Sequence, residues 1–162
     1  MKTVRRSMLK KFALSVLGFA GLRSLTNAET ISDDKKKVVS GVVTDQEVPL
    51  FSGSTKYGNL VFVAGKGAHY SGDIKAHTET VLQELEKELI RAGSSMKNVL
   101  KVSVFLNDIA DYDGMNTVYR GRFGDKPPVR TTVAVARGGV PGNSLVEMDC
   151  IAFVSSSVNA NG

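Results

Sequence analysis

The 162-residue chain has no Trp, a single Cys and only two His. One cysteine excludes an intrachain disulfide. His69 and His77, eight positions apart with no cysteine beside them, form no zinc signature, and Asp73 nearby adds little to them. Cys150 is far in sequence from both histidines, so it reads as a small buried apolar residue rather than a nucleophile paired with a base. Long apolar runs are also scarce. FALSVLGFAGL, residues 12–22, has 11 residues, short of the roughly 20 that cross a bilayer.

That run belongs to a distinct leader. Residues 1–28 place Lys2, Arg5, Arg6, Lys10 and Lys11 before the apolar stretch, and small residues with Thr26 and Ala28 after it. This is the layout of a secretory signal. The adjacent arginines and the modest hydrophobicity of the run resemble a twin-arginine export signal. The expectation is a mature protein outside the cytoplasm, periplasmic or extracellular, with no membrane association. The leader also explains the formal charge of +5. It holds six basic residues and no acidic ones, which leaves 15 basic against 16 acidic residues, a net −1, in the remainder. A nucleic-acid footprint needs a basic face on the folded domain, and the charge supports none.

Residues 29–37, ETISDDKKK, read as a polar tether and 157–162 as a tail, with one domain over 38–156. VVSGVV from Val38, FSGSTKYG (51–58) and LVFVAGKG (60–67) are strand candidates, with a turn at TDQEVP. The period then changes. Ile74, Thr78, Val81, Leu82, Leu85, Leu89 and Ile90 recur at helical spacing, with Asp73 or Ser71 as cap and Gly93 as terminator. His77 is expected on the solvated face of this helix or at its border. A strand over 98–108 and a helix over about 109–123 follow, the latter with Met115, Val118, Tyr119 and Phe123 inward. PVRTTVAVARGGVPGNSLVEMDCIAF (128–153) reads as two strands joined by a glycine turn. Strands joined by hairpins with two helices between them predict an α+β fold, a sheet with both helices on one face.

The last two strands carry the unusual residues. Val129, Thr131, Val133 and Val135 are expected beneath the helices, with Arg130, Thr132, Ala134 and Ala136 on the other side. Both faces of the final strand are largely apolar, which calls for a second copy to cover one of them. Arg130 and Glu147 stand among such neighbours. They are either a structural ion pair or exposed strand ends, or else an arginine fork for a carboxylate together with a carboxylate that positions water or moves a proton.

The stretch 128–153 resembles the signature of the reactive intermediate deaminase A (YjgF-type) family. GNLVFVAGKG and KVSVFLNDIADYDGMNTVY resemble two further motifs of that family in the right order, over residues 45–154. The resemblance implies a chorismate-mutase-like fold assembled as a homotrimer, with sites between subunits. It also implies hydrolysis of 2-imino or enamine acids to 2-keto acids and ammonia, without a cofactor. Carried over by position, Arg130 grips the substrate carboxylate and Glu147 holds the hydrolytic water. Asn116, Gly65 and the Thr132 backbone complete the binding set. Phe51 stands where many deaminases have a substrate-facing tyrosine, and Ala64 where the family has a serine. The alternative is a non-catalytic binder of small carboxylates with the same fold. Ribonuclease chemistry would want paired acid–base histidines or a basic groove, and the sequence has neither.

Overall fold

A computed structural model describes residues 36–155; the expected export signal, most of the tether and the tail lie outside the described residues. Six strands form one mixed sheet: β1 (Val38–Asp45), β2 (Val48–Tyr57), β3 (Leu60–Gly67), β4 (Val99–Leu106), β5 (Val129–Ala134) and β6 (Val146–Phe153). Their spatial order is β1-β2-β3-β6-β4-β5. Two helices, α1 (Ile74–Arg91) and α2 (Tyr112–Tyr119), complete the domain. No described helix is long and apolar enough to cross a membrane.

The turn between β1 and β2 places Gln46 and Glu47 at φ of 47° and 64°, the left-handed pair that closes a two-residue hairpin. Helix α1 starts as the sequence predicts, with the Asp73 carboxylate accepting the Ala76 N–H at 2.8 Å. It ends at Gly93, φ +82°, where the Ser94 and Gly93 N–H groups donate to the Leu89 and Ile90 carbonyls. That double closure needs a left-handed residue. Its inner stripe is Val81, Leu82, Leu85 and Leu89, all fully buried against β3 and β6. Each such side chain contributes about 1.5–3 kcal/mol of burial. Ile90, expected on this stripe, is 63% exposed.

Two polar residues join the stripe instead. His77 is buried, contrary to expectation. The Leu145 N–H donates to its Nδ1 at 3.0 Å, and its Nε2 contacts the Tyr70 carbonyl at 2.9 Å. A carbonyl only accepts, so His77 is the neutral Nε2–H tautomer. It ties the start of α1 to the loops before it and before β6. Glu88 is likewise buried. It accepts from the Ser54 hydroxyl at 2.8 Å and pairs with Arg91 and, at 3.6 Å, with Lys66. This ion cluster pins α1 to β2 and β3. Glu88→Ala leaves the Ser54 hydroxyl and the Lys66 ammonium without their partner. The expected cost is about 1–3 kcal/mol, read as a lower urea midpoint at unchanged slope; an unshifted midpoint would contradict the role assigned to the cluster.

Three expectations are corrected. The second helix spans only Tyr112–Tyr119, preceded by a 3-10 turn at Ile109–Asp111. Gly121 and Gly124, at φ +79° and +74°, turn the chain away after it, although Phe123 still packs into the core. Next, β5 and β6 are not a hairpin. β4 lies between them, parallel to β5 and antiparallel to β6, because α2 supplies the crossover that a parallel pair needs. Finally, the faces of β5 are the reverse of those expected. Arg130 and Thr132 pair with Val102 and Val104, both buried on the helix side. Val129 and Val133 point to the open face, 69% and 43% exposed. β5 is an edge strand, and α2 covers its polar side.

Candidate active site

Arg130 is positioned by α2. Tyr112, Asn116 and Tyr119 are spaced four and three apart, so they form one stripe of that helix. The stripe lies over β5. The Arg130 guanidinium donates to Asn116 Oδ1 at 2.8 Å and to the Tyr112 hydroxyl at 3.2 Å. Its central carbon lies 4.6 Å from the Tyr119 ring centroid and 5.7 Å from that of Tyr112. The aromatic faces hold the cation by their quadrupoles. All these partners are neutral, and among the described residues no carboxylate forms an ion pair with Arg130. A half-buried guanidinium oriented by neutral groups keeps its attraction for an anion.

The surroundings are dry and polar at once. The Tyr119 hydroxyl and the Thr132 hydroxyl are buried without a hydrogen-bond partner among the described residues. Burial pushes the Tyr119 phenol up to about 12, against the opposing pull of Arg130, so it stays neutral. Burial also pushes the Cys150 thiol up to about 12, with Asp149 adding to the shift. Cys150 is therefore a core residue and no nucleophile.

Glu147 lies elsewhere. It pairs with Gly67 of β3 and Phe105 of β4, on the open face of the sheet. A β-bulge between Val63 and Lys66 brings Gly65 beneath its carboxylate. A Cβ on Gly65 would stand 2.2 Å from Glu147 Oε1, so only glycine leaves that carboxylate its place. Gly65→Ala should preserve the fold and displace the Glu147 carboxylate, read as an unchanged melting curve and a moved side chain in a crystal structure of the variant. A carboxylate left in place would mean that Gly65 does not set the position of Glu147.

One chain thus builds two groups, not one site. Arg130, Asn116 and Thr132 gather on the helix side, whereas Glu147 and Gly65 gather on the open side. Arg130 and Glu147 flank β4 opposite Val102 and Phe105. By strand geometry their Cα atoms are roughly 14 Å apart, with the side chains on opposite faces. The reading of the two as an ion pair within one chain is therefore wrong. Phe51 joins neither group. It sits 53% exposed on β2, two strands from β6 and four from β5, among Val39, Val42, Pro49 and Leu50. Tyr112 was missed at the sequence level. Its four-residue spacing from Asn116 was the available signal.

The family model for Endoribonuclease L-PSP matches residues 44–154. A RutC family protein of Pyrococcus abyssi is 36% identical over 125 residues, which are 73% of this chain and 97% of that one. The chloroplastic Reactive Intermediate Deaminase A of Arabidopsis thaliana is 32% identical over 128 residues, 75% of this chain and 67% of that one. The crystal structure of NMB1025 from Neisseria meningitidis, a YjgF family member, superposes with a TM-score of 0.67 at 24% identity, over 76% of this chain and 99% of that one, which supports the fold alone. With its three sequence motifs, six-stranded mixed sheet and matched length, the chain belongs to the Endoribonuclease L-PSP family, the YjgF or reactive intermediate deaminase A type.

Proposed function

We propose that this protein hydrolyses reactive 2-imino and enamine acids to 2-keto acids and ammonia, in sites completed between copies of a homotrimer. The observation that carries the reading is Arg130, a half-buried guanidinium aligned by Asn116 and Tyr112 with no carboxylate paired to it among the described residues. A 2-imino acid has the matching carboxylate, which an arginine can take in two parallel hydrogen bonds. Next to that carboxylate is an electrophilic C=N carbon. Glu147 of a neighbouring copy accepts a proton from water as the oxygen attacks that carbon and the π pair moves to nitrogen. The nitrogen takes back that proton, and the resulting carbinolamine expels ammonia as its hydroxyl proton passes to nitrogen and the C=O bond forms. Imines hydrolyse readily, so orientation and one proton acceptor suffice, and Cys150 need not take part.

Assembly is supported by the open sheet face. Phe62, Val129 and Val133 are 42%, 69% and 43% exposed there, a surface that a second copy would cover. The deaminase reading is supported by the name of the Arabidopsis thaliana relative. Export belongs to the proposal as well, and rests on the basic, apolar, small-residue order of residues 1–28.

A second reading, a carboxylate-binding protein without turnover, is favoured by Phe51 and Ala64, which lack the hydroxyls of the family pattern. One assay separates the two. An amino-acid oxidase generates imines, and the decay of each is timed with and without the mature domain. Faster decay supports the enzyme. Unchanged decay for every imine, with 2-keto acid binding intact, supports the binder.

A further inference from the structure

His69 has no part in the site described so far, yet it packs over Gly67, the residue paired with Glu147 across the sheet. Its ring rests on two glycines. A Cβ on Gly142 would lie 2.1 Å from Nδ1, and one on Gly67 would lie 3.2 Å from Cε1 and 3.5 Å from Nε2. Gly142 holds φ +67°, so the loop before β6 is shaped to admit the ring. Gly67 is the ladder partner of Glu147. The Nε2 edge of His69 and the Glu147 carboxylate therefore occupy the same face of β3, one above Gly67 and the other above Gly65.

The ring also has a defined direction. Nδ1 faces the Gly142 carbonyl at 3.4 Å. A carbonyl only accepts, so Nδ1 carries the proton in that contact, and Nε2, the edge over Gly67, has no hydrogen-bond partner among the described residues. His69 is exposed at its outer side, so protons can reach it from solvent.

We propose that His69 is a second acid–base residue of this site, serving the leaving nitrogen while Glu147 serves the water; this rests on the deaminase reading. For an iminium substrate the protons balance as follows. Water adds to carbon, the C=N π pair goes to nitrogen, and Glu147 takes the water proton. The His69 imidazolium gives its Nε2 proton to the carbinolamine nitrogen. The C–N bond then breaks with its pair on nitrogen. The hydroxyl proton returns to Nε2 as the C=O bond forms, and the Glu147 proton leaves on ammonia as ammonium. Iminium and water become ketone and ammonium, and both side chains are restored.

The test compares parent, His69→Ala and His69→Gln in the imine-decay assay, with and without added imidazole. Glutamine keeps a donor for the Gly142 carbonyl and serves if alanine loosens the loop. Both variants should bind a 2-keto acid like the parent and turn over roughly ten- to a hundredfold more slowly. Imidazole should accelerate His69→Ala, whose cavity admits it, and leave the parent and Glu147→Gln unaffected. Variants within about twofold of the parent, or a slow His69→Ala that imidazole does not accelerate, would overturn the role. A parent that hydrolyses no imine overturns the deaminase reading and this role together, whereas an active parent with equally active variants overturns this role alone.

Discussion

Glu147→Gln is expected to bind a 2-keto acid as the parent does and to hydrolyse imines on the order of 10²- to 10⁴-fold more slowly, the usual contribution of a placed general base. The amide has nearly the shape of the carboxylate, so Gly65 still accommodates it. It cannot take a proton from water. The Arg130 group lies on the other face, held by α2, and is untouched by the change. The loss should therefore fall on kcat with KM nearly constant. Parent-like turnover would remove Glu147 from the chemistry and favour the binder.

Arg130→Lys is expected to lose roughly ten- to a hundredfold in kcat/KM, since one charged hydrogen bond is worth about 1.5–3 kcal/mol. Lysine keeps the charge but not the planar fork. It cannot donate at once to Asn116, to Tyr112 and to a substrate carboxylate, and it loses the guanidinium face that lies against Tyr119. Product binding should weaken along with turnover, unlike in Glu147→Gln. Thermal stability should change little, because among the described residues Arg130 forms no ion pair for the change to break. A variant with unchanged keto-acid affinity would place the carboxylate site elsewhere.

Much of this was legible in the residues. The 3.6-residue period of α1, its Asp73 cap and its Gly93 terminus are local signals, and each holds in the structure. The burial of His77 and Glu88 was not legible, because their partners come from 22 to 68 residues away: Leu145 for one, Ser54 and Lys66 for the other. The faces of β5 misled for a related reason. Alternation tells which residues share a face, but not which face a helix covers. Valines usually mark the covered side. Here the edge strand turns Arg130 and Thr132 to α2 and leaves Val129 and Val133 outward. Arg130 and Glu147 stood out as charges among apolar neighbours, whereas Asn116 and Gly65 were named by resemblance to a family. Their division into two groups on opposite faces became visible only through the strand order, which inserts β4 between β5 and β6.

That division is the central claim, and subunit mixing tests it most directly. Arg130→Lys and Glu147→Gln, each nearly inactive alone, are co-expressed in equal amounts so that they assemble together. A site built from the Arg130 group of one copy and the Glu147 group of another is intact in about a quarter of the interfaces of a randomly mixed closed ring. The account predicts recovery of roughly that share of parent activity. Mixed assemblies that stay as inactive as the separate variants would contradict it, since both groups would then have to act from the same chain.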